Sequence, residues 1–454
     1  MDHKRGSFSG KIGFVLSAAG ASVGLGNIWR FPYLAAKYGG AIFLLVYIIL
    51  AMTFGYTMII AETSIGRMTG KSPVGAYKSF SDKPALRVGG WINAIIPILI
   101  VPYYSVIGGW VIKYLVEYFR GNAKLLAEDG YFTDFISNGV STELCFVAFC
   151  AFTLIIIFAG VQNGIERVSK IMMPILIVLS VIIAVYSVTR PGALAGVKYF
   201  LVPNVKNFSW MTVVSAMGQM FYSLSIAMGI LITFGSYMKK DTAIEDSTRN
   251  VEVFDTGIAI MAGLMIIPAV FAFSGGDPDT LQAGPSLMFI TIPKVFQNMG
   301  FGTVIGIVFF LLVLFAAVTS SIALTESAVS TFEDELGWGR KKATVLVGVI
   351  MLALGSLSSL GYGPLAGIKI IGMQFLDLFD FLTNSVMMPI AALLTSLLVS
   401  RVVGIDKIEE EIIHGESAFR RKKVFVVMIK YLCPVFAIII LLSSVANALG
   451  WIKM

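Results

Sequence analysis

The stretch SAAGASVGLGNIWRFPYLAAKYGG, residues 17–40, sets the problem posed by the whole chain. It is apolar enough to cross a bilayer, yet its middle holds Gly20, Gly24 and Gly26, followed by Asn27, Arg30 and Pro32. Glycine weakens a helix, and polar side chains are costly in hydrocarbon. Within lipid every backbone N–H and C=O needs a partner, so irregular backbone survives only where it lines a cavity or is buried in protein. Close helix packing is the plainer reading of the glycines alone, because small residues also mediate helix contacts in membranes. With Asn27, Arg30 and Pro32 close behind, the balance moves to a binding site made of backbone.

The rest of the chain supports a membrane setting. Of 454 residues, 57% are hydrophobic and 13% charged, whereas a soluble chain carries about a quarter charged residues. Eleven apolar stretches are long enough to cross ~30 Å of hydrocarbon. They lie near 13–37, 41–66, 89–119, 144–160, 168–189, 210–238, 253–274, 302–330, 343–360, 372–400 and 424–450, and are numbered here as segments 1 to 11. The expected fold is an all-α integral membrane protein, with residues 1–454 forming a single transmembrane domain rather than two soluble ones. The opening MDHKRGSF is hydrophilic and no small-residue cleavage site follows, which argues against a removable signal peptide.

The net charge of +7 could suggest nucleic acid, but its distribution excludes that. With a cytoplasmic N-terminus, 23 of the 34 Lys and Arg fall on the cytoplasmic side and 11 on the other, as the positive-inside rule requires. An odd number of spans then puts the C-terminus outside. The basic cluster Arg420–Lys423 reads as a cytoplasmic helix flank. Cys145, Cys150 and Cys433 are an odd set without metal spacing, and His3 and His414 lie in flanks. No intramembrane histidine is available for catalysis. The pair Gly24-x-Gly26 lacks the third glycine, preceding strand and later acid of a dinucleotide site. Two long outer connections, 190–209 and 275–301, are apolar enough to pack as lids; the second contains the amphipathic stretch PSLMFITIPKVF.

The motif AxVGLGNxWRFPYxxxxxGGxxFxxxY, from Ala21 to Tyr47, resembles the first-helix signature of the neurotransmitter:sodium symporter family. QMFYSLSIAMGILITFGSYMKKD (219–241) is similar to that family's broken sixth helix, and FAAVTSSIALTES (315–327) followed by FEDELG (332–337) to its eighth. The resemblance runs through nearly the whole chain and is greatest to eleven-helix bacterial carriers of hydrophobic amino acids. It implies two five-helix inverted repeats, segments 1–5 (about 11–190) and 6–10 (about 210–400), plus a final helix (about 424–450). Segments 1 and 6 would be discontinuous, with half-helix termini facing the substrate and freed carbonyls facing sodium.

By the same resemblance, a first sodium site would use the Ser22 carbonyl, Asn27, Ser223 and Asp255, completed by the substrate carboxylate. A second would use the carbonyls of Gly20, Val23 and Ala316 with the hydroxyls of Thr319 and Ser320. These are hard oxygen ligands, suited to an alkali cation. The bland reading of Thr319 and Ser320 is back-bonding to their own helix. Relatives commonly carry asparagine at the position of Asp255, and chloride-dependent ones place an anion nearby, in the region of Tyr47, Gln219 and Ser223. Chloride-independent bacterial relatives supply a carboxylate from a position that aligns with Ala259. A carboxylate at Asp255 supplies that fixed charge from the protein, so no chloride requirement is expected, and no organic cofactor.

The implied pocket is lined by Ser22, Gly24, Gly26, Ile100, Tyr104, Tyr222, Ser225, Met228, Ser320 and Leu324. Gly24 and Gly26 N–H groups with the Tyr104 hydroxyl would take the substrate carboxylate; Ser22, Tyr222 and Ser225 would take the amine. Met228 stands where leucine-selective relatives have an aromatic side chain, and an adaptable methionine favours broad selectivity. Arg30 and Asp380 resemble an outer charged gate above Tyr104 and Tyr222; Arg5 and Asp334, helped by Tyr237, resemble an inner one. In segment 5, Gly164 and Pro174 bracket nine residues that could unwind as a hinge, or hold a static kink.

The expected function is sodium-coupled symport of hydrophobic L-amino acids, including tryptophan and leucine, by alternating access in the cell membrane. The expected partners are the small-molecule substrate and the lipid bilayer, with no obligate protein partner. Two alternatives stay open: a non-translocating amino acid sensor, and the same fold carrying an amine or osmolyte. Amine-selective relatives have aspartate where this chain has Gly24. No nucleophile–base pair or metal cluster within the segments suggests an enzyme.

Overall fold

The computed structural model describes residues 6–275, 284–448 and 451, and it is all helical apart from one isolated bridge, Ile370 to Met373. Among the described residues nine helices are long and apolar enough to cross a membrane. They are Ala41–Thr69, Leu86–Phe119, Gly139–Phe158, Val161–Val188, Ile244–Ser274, Gly302–Leu336, Arg340–Leu360, Phe375–Val403 and Lys422–Ala448. A tenth span is the bent pair Lys11–Ser22 and Gly26–Lys37, which turns by 54° at its break. Segment 6 is split more deeply, into Trp210–Ser223 and Ile230–Ser236. Neither half reaches spanning length alone.

The two breaks have different causes. In segment 1 the helix stops at Ser22 and resumes at Gly26, yet Gly20, Gly24 and Gly26 are not among the residues of positive φ. Space is what they supply. A Cβ on Gly26 would lie 2.3 Å from the Tyr222 ring, one on Gly24 2.7 Å from the Ser320 hydroxyl, and one on Gly20 3.1 Å from Thr319. In segment 6 the conformation itself is unusual: Ser225 (φ 52°) and Ala227 (φ 57°) are left-handed without being glycine. Such residues cost of order 1–3 kcal/mol each. The surroundings hold them, because the Ala227 N–H donates to the buried Glu62 carboxylate at 2.7 Å.

The core runs between these breaks, where segment 8 packs along segments 1, 3 and 5. The short apolar helix Leu287–Gln297 is packed against segment 3 and the helix Tyr131–Ser137. Its Phe289 carbonyl accepts from the Tyr114 hydroxyl at 2.8 Å, and its ring stacks on Phe132 at 5.1 Å. The connection around Tyr199 and Asn207 sits directly over Gly39 and Gly40. Cys145, Cys150 and Cys433 are free thiols, and the last two are buried.

Candidate functional site

A tight cavity of about 30 Å³ lies where the two breaks face each other. Its wall contains Ser22, Gly24, Gly26, Ile100, Tyr104, Tyr222, Ser225, Met228, Ser320 and Leu324, together with Ala21, Leu25 and Asn27. The ten pocket residues expected from sequence therefore meet around one space, and three neighbours join them. The end formed by Ile100, Met228 and Leu324 is apolar. The other end carries backbone and hydroxyls: Tyr104 accepts from the Leu25 N–H at 3.3 Å, and Ser225 donates to the Ala21 carbonyl at 2.9 Å. The Gly24 N–H, expected to be free for a carboxylate, here donates to Asn27 Oδ1 at 3.2 Å.

Beside the cavity, Asp255 has no solvent exposure and is held by neutral groups alone. Its oxygens accept from Asn27 at 2.8 Å, Ser223 at 2.8 Å and Tyr47 at 2.6 Å. A buried carboxylate surrounded only by neutral donors is a place for a cation. In this arrangement the Asn27 amide offers its NH2 group to Asp255 and Ser223, and such an amide presents its oxygen instead when turned over. Gln219 donates to the Gly26 carbonyl at 3.1 Å, which ties the same layer to segment 6.

The second set of oxygens also converges. Ser320 Oγ lies 3.2 Å from the Gly20 carbonyl, 3.1 Å from that of Ala21 and 3.5 Å from that of Val23. Thr319 Oγ1 lies 3.2 Å from the Ala316 carbonyl and 3.0 Å from that of Phe315. Thr319 thus back-bonds to its own helix, while Ser320 reaches across to segment 1. Among the described residues no three His, Cys, Asp or Glu side chains are grouped to hold a metal ion. Both clusters are the oxygen-only kind that suits hard cations.

The residues expected to form gates fall into two layers. On the face away from the N-terminus a vestibule is lined by Arg30, Asp380, Tyr222 and Tyr103. The Arg30 guanidinium stacks over the Tyr222 ring at 5.4 Å, and Asp380 accepts from Asn384 at 2.5 Å and Tyr103 at 3.2 Å. Arg30 and Asp380 line the same vestibule, but among the described residues they form no direct ion pair. On the N-terminal face Asp334 accepts from the Ser72 N–H at 2.6 Å; Arg5, its expected partner, lies outside the described residues. Tyr237 donates to Glu326 at 2.7 Å. The segment bracketed by Gly164 and Pro174 is wound here, as a π turn over Val161–Glu166 running into the helix Arg167–Val188.

Sequence reasoning passed over two carboxylates that the structure makes prominent. Glu62 holds segment 6 at its break. Glu326, fully buried, is gripped by both Arg340 nitrogens at 2.6 and 3.0 Å, and Arg340 also donates to the Ile157 carbonyl at 2.9 Å. Segments 4, 8 and 9 and the second half of segment 6 thus meet at one buried ion pair. Both could have been found, because an acid inside an apolar segment is a functional candidate by default.

The model of the sodium:neurotransmitter symporter family matches residues 5–129 and 133–451. The chain belongs to that family. It is similar to an uncharacterised sodium-dependent transporter, YhdH, of Bacillus subtilis, with 34% identity over 98% of both chains. An uncharacterised sodium-dependent transporter of Methanocaldococcus jannaschii is 30% identical over 90% of this chain and 84% of that one. The human sodium- and chloride-dependent GABA transporter 2 is 26% identical over 90% of this chain and 75% of its own length. Among solved structures, MhsT in complex with L-phenylalanine superposes with a TM-score of 0.86 at 35% identity, covering 97% of this chain and all of that one. As a family member the chain is a multi-pass membrane transporter that uses sodium, not an enzyme.

Proposed function

We propose that this chain is a sodium-coupled symporter that imports hydrophobic L-amino acids, aliphatic and aromatic, by alternating access. The observation that carries the reading is the cavity with two unlike ends. Hydroxyls and broken-helix backbone beside Asp255 suit a zwitterion and a cation, and the Ile100, Met228 and Leu324 end suits an apolar side chain. The phenylalanine bound by the similar structure MhsT supports the same substrate class.

In this reading two sodium ions travel with each substrate. The first is held by the Ser22 carbonyl, Asn27, Ser223 and Asp255, the second by Gly20, Val23, Ala316, Thr319 and Ser320. Asp255 makes chloride dispensable. Each sodium moving down a tenfold gradient contributes ~1.4 kcal/mol, and 100 mV adds ~2.3 kcal/mol per charge. Two ions supply about 7 kcal/mol, enough to accumulate a neutral zwitterion near 10⁵-fold.

The architecture that goes with this reading has eleven spans, with segment 6 counted as one broken span. Inverted repeats occupy about 11–190 and 210–400, and the last helix about 424–450. The N-terminal face is cytoplasmic and the C-terminus extracellular. Arg30 and Asp380 close the outer side over Tyr222 and Tyr104. Asp334 with Arg5, and Tyr237 with Glu326, close the inner side. Segment 5 unwinds between Gly164 and Pro174 to let water reach the second ion.

The test is uptake of labelled tryptophan and leucine into proteoliposomes with outside sodium, potassium, or sodium without chloride. Accumulation of both in sodium, indifferent to chloride, is expected. Sodium-dependent binding without accumulation would replace the symporter with a sensor, and no binding of either ligand in sodium would overturn the pocket assignment.

A further inference from the structure

Residues 6–10 form a strap that runs into the first helix at Lys11. Every polar group of Ser9 in this strap is bonded. Its N–H donates to Glu166 Oε2 at 2.9 Å, its hydroxyl donates to Glu166 Oε1, and its carbonyl accepts from Lys239 at 3.1 Å. Lys170, one turn beyond Glu166, donates to Glu166 Oε1 at 2.5 Å and to the Ser9 hydroxyl at 3.2 Å. The fit is close: a Cβ on Gly13 would lie 2.4 Å from the Glu166 carboxyl, and one on Gly6 2.6 Å from Val161. Just before Ser9, the Phe8 N–H donates to the Tyr237 carbonyl at 3.0 Å, and its ring meets Phe14, Phe234 and Tyr237 edge-on.

Glu166 is only 2% exposed and is the last residue of the π turn that contains Gly164. It therefore belongs to the stretch that has to unwind if segment 5 is a hinge. We propose that Glu166 is a positioning residue that locks the N-terminal strap to this hinge, so that strap and hinge open as one event. The inference rests on the alternating-access reading given above.

The argument is one of reach and of chemistry. Glu166 has two methylenes, too short to keep hold of Ser9 once its own backbone leaves the helix. Lys170 sits within the same Gly164–Pro174 stretch, so the second tie to Ser9 is displaced with the first. Only an acceptor with two free oxygens can serve an N–H, an O–H and an ammonium together; a glutamine would place an NH2 group against one of these donors. Conversely, lifting the strap alone would strip the buried carboxylate of its neutral donors and leave it to Lys170.

The test uses the full-length transporter in proteoliposomes, with Ser169→Cys as reporter on segment 5, where Ser169 is 3% exposed. The chain without the reporter corrects for its own three cysteines. An impermeant thiol reagent is applied from the N-terminal face while hydrogen exchange is read over residues 8–13. Without Glu166→Gln, both signals are expected to be low in sodium plus leucine and to rise together when sodium is removed. With Glu166→Gln, both should already be raised about tenfold or more in sodium, the size of a lost charged hydrogen bond. Ser9→Ala, which preserves folding if Glu166→Gln does not, should raise both by a smaller factor, and the double variant should not exceed Glu166→Gln alone. A change in reagent rate without a change in strap exchange, or no change in either, overturns the latch. If Ser169→Cys stays unreactive in every ion condition without the Glu166 change, the hinge reading fails first and the latch falls with it.

Discussion

The Asn27 side-chain nitrogen lies 2.8 Å from an Asp255 oxygen, and neither residue has any exposure to solvent. An uncompensated carboxylate at this depth costs roughly 2.5–3.5 kcal/mol or more, so the pair is poised to gain from a cation. Asp255→Asn should lower apparent sodium affinity by about tenfold or more, the loss of one charge-assisted contact. Added chloride should restore part of the uptake. Sodium titrations of leucine binding, with and without chloride, check both statements; an unchanged sodium midpoint would remove Asp255 from the ion site.

Gly26 faces the Tyr222 ring, and a Cβ there would sit 2.3 Å from it. Gly26→Ala should therefore push Tyr222 into the pocket and weaken substrate binding by at least about tenfold, with little loss of melting temperature. Truncating the ring as well, in Gly26→Ala with Tyr222→Ala, should recover binding without recovering transport. Calorimetric binding beside proteoliposome uptake separates the two effects.

Glu62 is the acceptor for the Ala227 N–H in the strained turn of segment 6. Glu62→Ala would orphan that N–H at a cost of about 1–3 kcal/mol and release residues already in left-handed conformation. Lower thermal stability and lost binding are expected together. Glu62→Gln retains a carbonyl acceptor and should keep most of both.

Arg340 is the cation for the fully buried Glu326. Arg340→Ala should cost about 3–5 kcal/mol by leaving an unpaired buried charge, whereas Arg340→Met combined with Glu326→Gln should regain much of that stability. Melting curves of the unchanged protein, Arg340→Met, Glu326→Gln and their double variant in one detergent decide it; additive losses would mean that the pair is not coupled.

Met228 stands at the apolar end of the cavity. Met228→Phe should exclude tryptophan while leaving leucine within a few-fold, because buried methylenes contribute only ~0.8 kcal/mol each whereas overlap with a rigid ring costs 1–3 kcal/mol. Competition between the two labelled substrates reads the ratio directly.

The grouping of these oxygens is legible because they come in short runs: Gly20 to Asn27, Ser223 to Met228, and Ala316 to Ser320. Runs of that kind survive in a linear reading. Contacts made by single residues far apart in sequence did not. Glu62 meets Ala227, 165 positions away, and Glu166 meets Ser9, 157 positions away, with nothing local in either segment to announce a partner. The glycines of segment 1 were legible as a break, but their reason was not: backbone freedom and missing volume leave the same letter. Arg30 and Asp380 are legible as two charges, but not the neighbours each one takes: Arg30 stacks on Tyr222, and Asp380 accepts from Asn384.

Ser320 lines the cavity between the two breaks and also touches the carbonyls of Gly20, Ala21 and Val23. In the proposed function one hydroxyl would thus serve two binding events, which would restrict how the protein can diversify. Enlarging the cavity at position 320 would disturb the oxygen cage behind it, so a lineage acquiring new substrates has to do so elsewhere in the wall. Ile100, Met228 and Leu324 touch the cavity but are not among the proposed ion ligands, and under the proposed function they are where substrate preference would drift while the coupling ion stays the same.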